Sequence, residues 1–78
     1  MISEADSKAA ADELEAAALT KREREALVLT CKGLTAKEAG EVMGINFKTV
    51  EAHQIHARQK LGMTTIEAVV LAVKAGWV

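Results

Sequence analysis

Seventy-eight residues make one domain at most, and a chain this short buries only about 60% of the surface its unfolded form exposes, so it is marginal alone and gains stability by pairing. Half of the residues are apolar, yet there is no Tyr, one Phe and one Trp, so the core has to come from Leu, Val, Ile, Met and Ala; no Pro beside so much Ala, Leu, Glu and Lys points to helix throughout. A net charge of −1 argues at first against nucleic acid, the single cysteine, Cys31, excludes an internal disulfide and fits a reducing cytosol, and no leader or apolar run suits export or a bilayer, so a cytoplasmic protein without a membrane partner is expected.

The charge is unevenly placed. Residues 1–18 carry a net −4 and residues 19–78 a net +3, an acidic leader on a weakly basic domain. The large apolar content of the leader is Ile2 and Leu14, with nothing evident to pack on, so residues 1–18 read as an Ala-rich linker or frayed helix. A cut from a longer protein would fall in this leader; a natural start at Met1 would make the domain free-standing.

From Leu19 onward the punctuation is regular. Thr20 with Glu23, Thr35 with Glu38 and Thr64 with Glu67 are capping boxes, in which the hydroxyl accepts from the amide three residues on and the carboxylate reaches back. Asn46 caps a further segment with its side-chain oxygen. Glycines close the segments at Gly33, Gly44, Gly62 and Gly76. The expectation is four helices, near 21–32, 36–43, 47–61 and 65–75. The loops between them are so short that consecutive helices must be neighbours. Residues 35–61 then read as a short helix, a tight turn at Gly44-Ile45 and a longer helix.

The apolar positions give the inward faces. The first of these helices offers Ala26, Leu27, Thr30 and Cys31, with Leu19 and Leu34 at its ends. The second offers Ala39, Val42 and Met43. The third offers Val50, Ala57 and Leu61, with His53 beside them. Gly40 lies inside a helix, where it costs roughly 1 kcal/mol against Ala; a close helix crossing would account for it. The last helix, with Ile66, Val69, Val70, Leu71, Val73, Trp77 and Val78, is more apolar than one buried stripe needs, which suggests a partner surface.

Leu19-Thr20-Lys21-Arg22-Glu23-Arg24-Glu25, Gly33, Lys37-Glu38, Thr49-Val50, His53 and Lys60-Leu61-Gly62 together resemble the LuxR/GerE-type helix-turn-helix domain, over residues 19–78 and without a gap. The resemblance implies an all-α, four-helix domain with a loose N-terminal segment. It implies a bacterial transcription regulator, a recognition helix over residues 46–61, and a homodimer through the last helix. Some members are C-terminal domains of larger regulators and some, GerE-like, stand alone; the length here is similar to the free-standing kind. The chain departs from the pattern at Ala39, Gly40 and Asn46, where the family usually has a larger aliphatic, Ala and Ser. It departs also at Glu51 and Ile55, where members often carry Lys or Arg.

A helix in the major groove reaches bases from its N-terminal turns, while flanking positions meet phosphate. On this expectation Asn46, Lys48 and Thr49 meet phosphate at the helix start, where free amides and the dipole also favour it. Arg58 and Lys60 grip the backbone farther along, and Thr35 and Lys37 do so from the preceding helix. The row left for bases is Phe47, Glu51, Ala52, Ile55 and Gln54: a carboxylate accepts from a cytosine amino group, an amide pairs with adenine, and Ala or Ile meets a thymine methyl. Such a row is poor in charge attraction, so affinity leans on a few phosphate contacts. Read alone, Lys48, Arg58 and Lys60 are ordinary solvated charges, His53 is a half-buried structural residue, Cys31 is core, and Trp77 covers the last helix or a dimer seam. Dimer contacts are expected at Ile66, Val69, Val70, Val73 and Trp77.

His53 and His56 have no third or fourth ligand near, so no metal is expected. Nor is a cofactor or an enzyme, for the sequence has no nucleophile with a base at useful spacing, no phosphate-binding Gly-rich loop and no paired carboxylates in an apolar setting. The alternative to the DNA-binding dimer is a protein of the same fold that pairs with another transcription regulator and binds DNA weakly or not at all. The near-neutral charge, the acidic leader, the missing bases at 51 and 55 and the over-apolar last helix motivate it.

Overall fold

A side chain closes the start of every helix, and these closures fix the element boundaries. The computed structural model describes residues 3–78, so Ile2 of the leader lies outside the described residues. In chain order the helices are α1 (Glu4–Ala16), α2 (Lys21–Cys31), α3 (Ala36–Met43), α4 (Phe47–Leu61) and α5 (Thr65–Lys74), with no strand among the described residues. The hydroxyls of Thr20, Thr35 and Thr64 accept from the amides of Glu23, Glu38 and Glu67, and each Glu carboxylate accepts from the Thr amide in return. Asn46 Oδ1 accepts from the Lys48 amide at 2.8 Å. All four expected helices are present, with boundaries displaced by a residue at most, because these caps are local chemistry.

The loose leader of the expectation differs from what forms. Ser3 caps a thirteen-residue helix, α1, which packs on α5. Its Ala10 and Leu14 are buried, and Leu14 joins Leu27, Ala68 and Ala72 in one core cluster. One large apolar residue suffices because the surface it meets, Ala68 and Ala72 of α5, is flat and small. The sequence therefore makes five helices, all-α as expected. None is long and apolar enough, among the described residues, to cross a membrane.

A second cluster, Ala26, Ala39, Met43 and Val50, joins α2, α3 and α4. α3 lies directly on α4, and the turn between them is as tight as its sequence suggests. Gly44 has φ +71, a left-handed conformation that Gly adopts without the clash a Cβ brings. Gly40 marks a close approach, as expected, but of the turn and not of a crossing helix: a Cβ built there would lie 2.7 Å from the Ile45 carbonyl oxygen, so the turn folds back onto a bare backbone. Val42 is a correction. The apolar pattern puts it on the inward face, but it is 66% exposed. Gly40 takes its place beside Ala39 and Met43, since the helix turns its closest-approach side to α4.

Candidate nucleic-acid interface

α4 is held on one side and open on the other. Val50 and Ala57 are fully buried, and His53 is half-buried between them in sequence. Gln54 is also held: its Nε2 donates to Thr30 Oγ1 at 2.8 Å, and Thr30 Oγ1 in turn donates to the Ala26 carbonyl at 2.8 Å. Gln54 was a possible base reader in the sequence; the structure turns its amide inward, onto α2. Arg22 adds a clamp at the motif's corner, donating from a guanidinium NH to the Met43 carbonyl at 3.2 Å. That carbonyl belongs to the last turn of α3, where a helix runs out of its own donors.

The opposite side presents the predicted residues of the first turns together. Asn46, Lys48, Thr49, Glu51 and Ile55 are exposed, and Ala52 is half-buried between them. Asn46 caps the helix with its oxygen and has its amide nitrogen free of that bond. No acid stands in the first turn of α4, so the positive end of the helix dipole is left uncompensated by a carboxylate. Phe47, 44% exposed, and Ile55, 42% exposed, flank Glu51 along the helix.

The start of α3 is different. Thr35 and Lys37 are exposed, but the Glu38 carboxylate accepts from the Thr35 amide at 2.9 Å. Those backbone and hydroxyl bonds from Thr35 hold the Glu38 carboxyl below its ordinary range. An anion approaching this end meets a carboxylate, which leaves the Lys37 ammonium and the Thr35 hydroxyl as its attractive groups.

At the far end of α4, one of the two residues expected on phosphate, Lys60, is engaged within the fold. Lys60 was expected to grip phosphate, but its Nζ donates to Glu23 Oε1 at 2.7 Å and to the Ala18 carbonyl at 3.4 Å. Glu23 is only 4% exposed. The hydrogen bond from Lys60 lowers its pKa, against the upward push of burial and with help from the Thr20 amide. Moving Lys60 to a phosphate would strand a buried carboxylate, so Lys60, although partly in water, serves as the counter-ion of Glu23. Arg58 is half-buried, with its Nε buried and without a hydrogen-bond partner. Of the pair, Arg58 alone stays available to a backbone strand.

On α5, Ile66 is 77% exposed and Val70 and Val73 are also exposed, three residues on one stripe; Val69 is half-buried at its edge. Trp77 does not join this stripe. It is half-buried against the Leu14 cluster, with the Arg24 guanidinium 4.2 Å from its ring centroid, a cation–π contact that closes the core beside α1. Cys31 is half-buried with Sγ 4.0 Å from the Val69 carbonyl, and burial pushes its thiol pKa up, away from a reactive thiolate.

Sequence reasoning missed the Lys60–Glu23 pair and the Gln54–Thr30 bond. Both join residues more than twenty positions apart. Their only sequence signal was that Glu23 and Gln54 lie beside inward-facing positions of their helices.

Oxygen regulatory protein NreC of Staphylococcus aureus, in strains JH9, Mu3 and NCTC 8325, is 49% identical to the chain over 45 residues. The match takes in 58% of this chain and 21% of NreC, so the chain spans about a fifth of the length of these curated relatives. No solved structure matches it significantly. Residues 17–73, which run from the end of the leader into α5 and enclose the whole α3–turn–α4 unit, match the family described as bacterial regulatory proteins, luxR family, and the chain belongs to that family.

Proposed function

We propose that the protein regulates transcription in the bacterial cytoplasm by binding double-stranded DNA as a homodimer. α4 enters the major groove, and the site is roughly palindromic, with half-sites about 10 bp apart. The single observation that carries this reading is the bare outer side of the first turns of α4, on a helix whose inner side is fixed to α2 and α3. Asn46, Lys48 and Thr49 meet phosphate at the helix start, Thr35 and Lys37 from α3, and Arg58 farther along; Glu51, Ala52 and Ile55 face base edges. Ile66, Val70 and Val73, with Val69 at the edge, form the seam between protomers. With Lys60 committed to Glu23, the phosphate grip is smaller than the sequence suggested, so binding depends steeply on each remaining cation.

A salt titration tests this directly. Lys48→Ala is expected to weaken binding to all duplexes alike and to make the slope of log K against log salt shallower by about one unit. An unchanged affinity and slope would reject the phosphate role.

A second reading has one observation in its favour: a carboxylate, Glu51, stands in the middle of the outward row while an apolar stripe lies open on α5. On that reading the protein pairs through α5 with another transcription regulator and keeps it off DNA. A purified chain that shifts a defined duplex by itself decides against this.

A further inference from the structure

We infer that α4 reads the amino group of a cytosine bracketed by pyrimidine 5-methyl groups. The inference rests on the DNA-binding reading above and names the base chemistry of that site. Phe47, Glu51 and Ile55 stand four residues apart, so they form one row along α4. At a rise of 1.5 Å per residue, neighbours in the row are about 6 Å apart, near two base-pair steps. The row thus spans about four base pairs, with Glu51 in the middle.

The chemistry of the row is selective. Glu51 is exposed and has no ion-pair partner among the described residues, whose ion pairs are Arg22–Glu25 and Lys60–Glu23. A carboxylate only accepts hydrogen bonds. In the major groove the donors are the cytosine N4 and adenine N6 amines, while guanine offers the acceptors N7 and O6 and repels it. Adenine sets its N7 acceptor beside N6, whereas the cytosine amine has no acceptor of its own base beside it in the groove, so cytosine suits a carboxylate better. Of the two carboxamides in the region that could match adenine, Gln54 is turned away and bonded to Thr30, and the Asn46 oxygen is occupied by the Lys48 amide.

Phe47 and Ile55 carry no donor or acceptor, and both keep over two fifths of their surface in water. No other described residue covers that exposed part, and in a groove the apolar group it meets is a C5-methyl. Thymine and 5-methylcytosine both supply it. The face is therefore matched to a pyrimidine-rich strand with a central cytosine, and it is mismatched to guanine.

Selection from a random duplex pool with the full chain, followed by binding to base-analogue duplexes, tests this. The selected half-site is expected to carry cytosine opposite Glu51, with methyl-bearing pyrimidines on either side. Uracil in place of each bracketing thymine removes one methyl without altering pairing, and should weaken binding about fourfold per position; 5-methylcytosine at a bracketing position should bind as thymine-type contact does. Glu51→Gln should move the preference to adenine, and Glu51→Lys to guanine. Selection of guanine by the wild-type chain, or indifference to uracil, overturns the inference and leaves DNA binding standing. Absence of any retained duplex at the lowest salt overturns the DNA-binding reading and this inference with it.

Discussion

Glu23 shows how much one carboxylate carries in a domain of this size. It caps α2 through the Thr20 amide, it accepts from Lys60 across the fold, and it is almost wholly buried. Its pKa is lowered in the folded chain, so the unfolded state binds the proton more readily. The stabilisation it gives is complete above the ordinary glutamate range, near pH 4–5, and is lost as pH falls through the lowered folded value. Denaturant midpoints taken between pH 6 and pH 3 should fall, and Glu23→Gln should flatten part of that fall. Lys60→Met should destabilise by about 1–3 kcal/mol at neutral pH, the range for stranding a buried acceptor, held down because water reaches the Lys60 end. If Lys60→Met leaves the midpoint unchanged while reducing DNA affinity, Lys60 belongs to the phosphate grip after all. The capping half of this arrangement was visible in the sequence, as Thr20 with Glu23. The Lys60 half was not, since nothing local distinguishes a lysine whose partner lies on another helix from one in water.

At the scale of elements, the boundaries were legible because Thr, Asn and Gly act on amides within a few residues of themselves. The α3–α4 turn was legible in Gly44-Ile45, and Gly40 signalled a close approach, though of the turn's backbone and not of a crossing helix. Alanine at that position gains roughly 1 kcal/mol of helix propensity, but its Cβ would press on the Ile45 carbonyl at 2.7 Å, and overpacking of this kind typically costs about 1–3 kcal/mol. Gly40→Ala should therefore destabilise by about 1 kcal/mol in chemical denaturation. A stabilised variant would mean that the turn yields freely. The arc of α3 that faces inward could not be fixed from the apolar pattern alone. Val42 looks like core and Gly40 does not, yet contact distance, not hydrophobicity, chose between them.

For the whole molecule, α1 is the element the sequence reading undervalued. Leu14 alone was visible as an anchor, and its receiving surface is made of Ala68 and Ala72, residues too small to advertise a docking site. With α1 on one side of α5, the Ile66–Val70–Val73 stripe is what remains open to a second copy. Val70→Asp should leave the helical content and thermal midpoint of the chain nearly unchanged, because Val70 is exposed. In sedimentation, it should convert a dimer to a monomer, with half-site binding in place of cooperative binding. A variant that sediments as the wild type would place the protomer contact elsewhere.

The bracing of α4 has a thermodynamic corollary. Gln54 ties its middle to α2 and Lys60 ties its far end to Glu23, so the rod is already assembled before any duplex arrives. Docking then orders exposed side chains such as Lys48 and Glu51 but no helix, and association should proceed as between two prefolded bodies. A large negative heat-capacity change in calorimetry would then report dehydration of the interface, the Phe47 and Ile55 surfaces included, or bending of the nucleic acid, and not the folding of the protein.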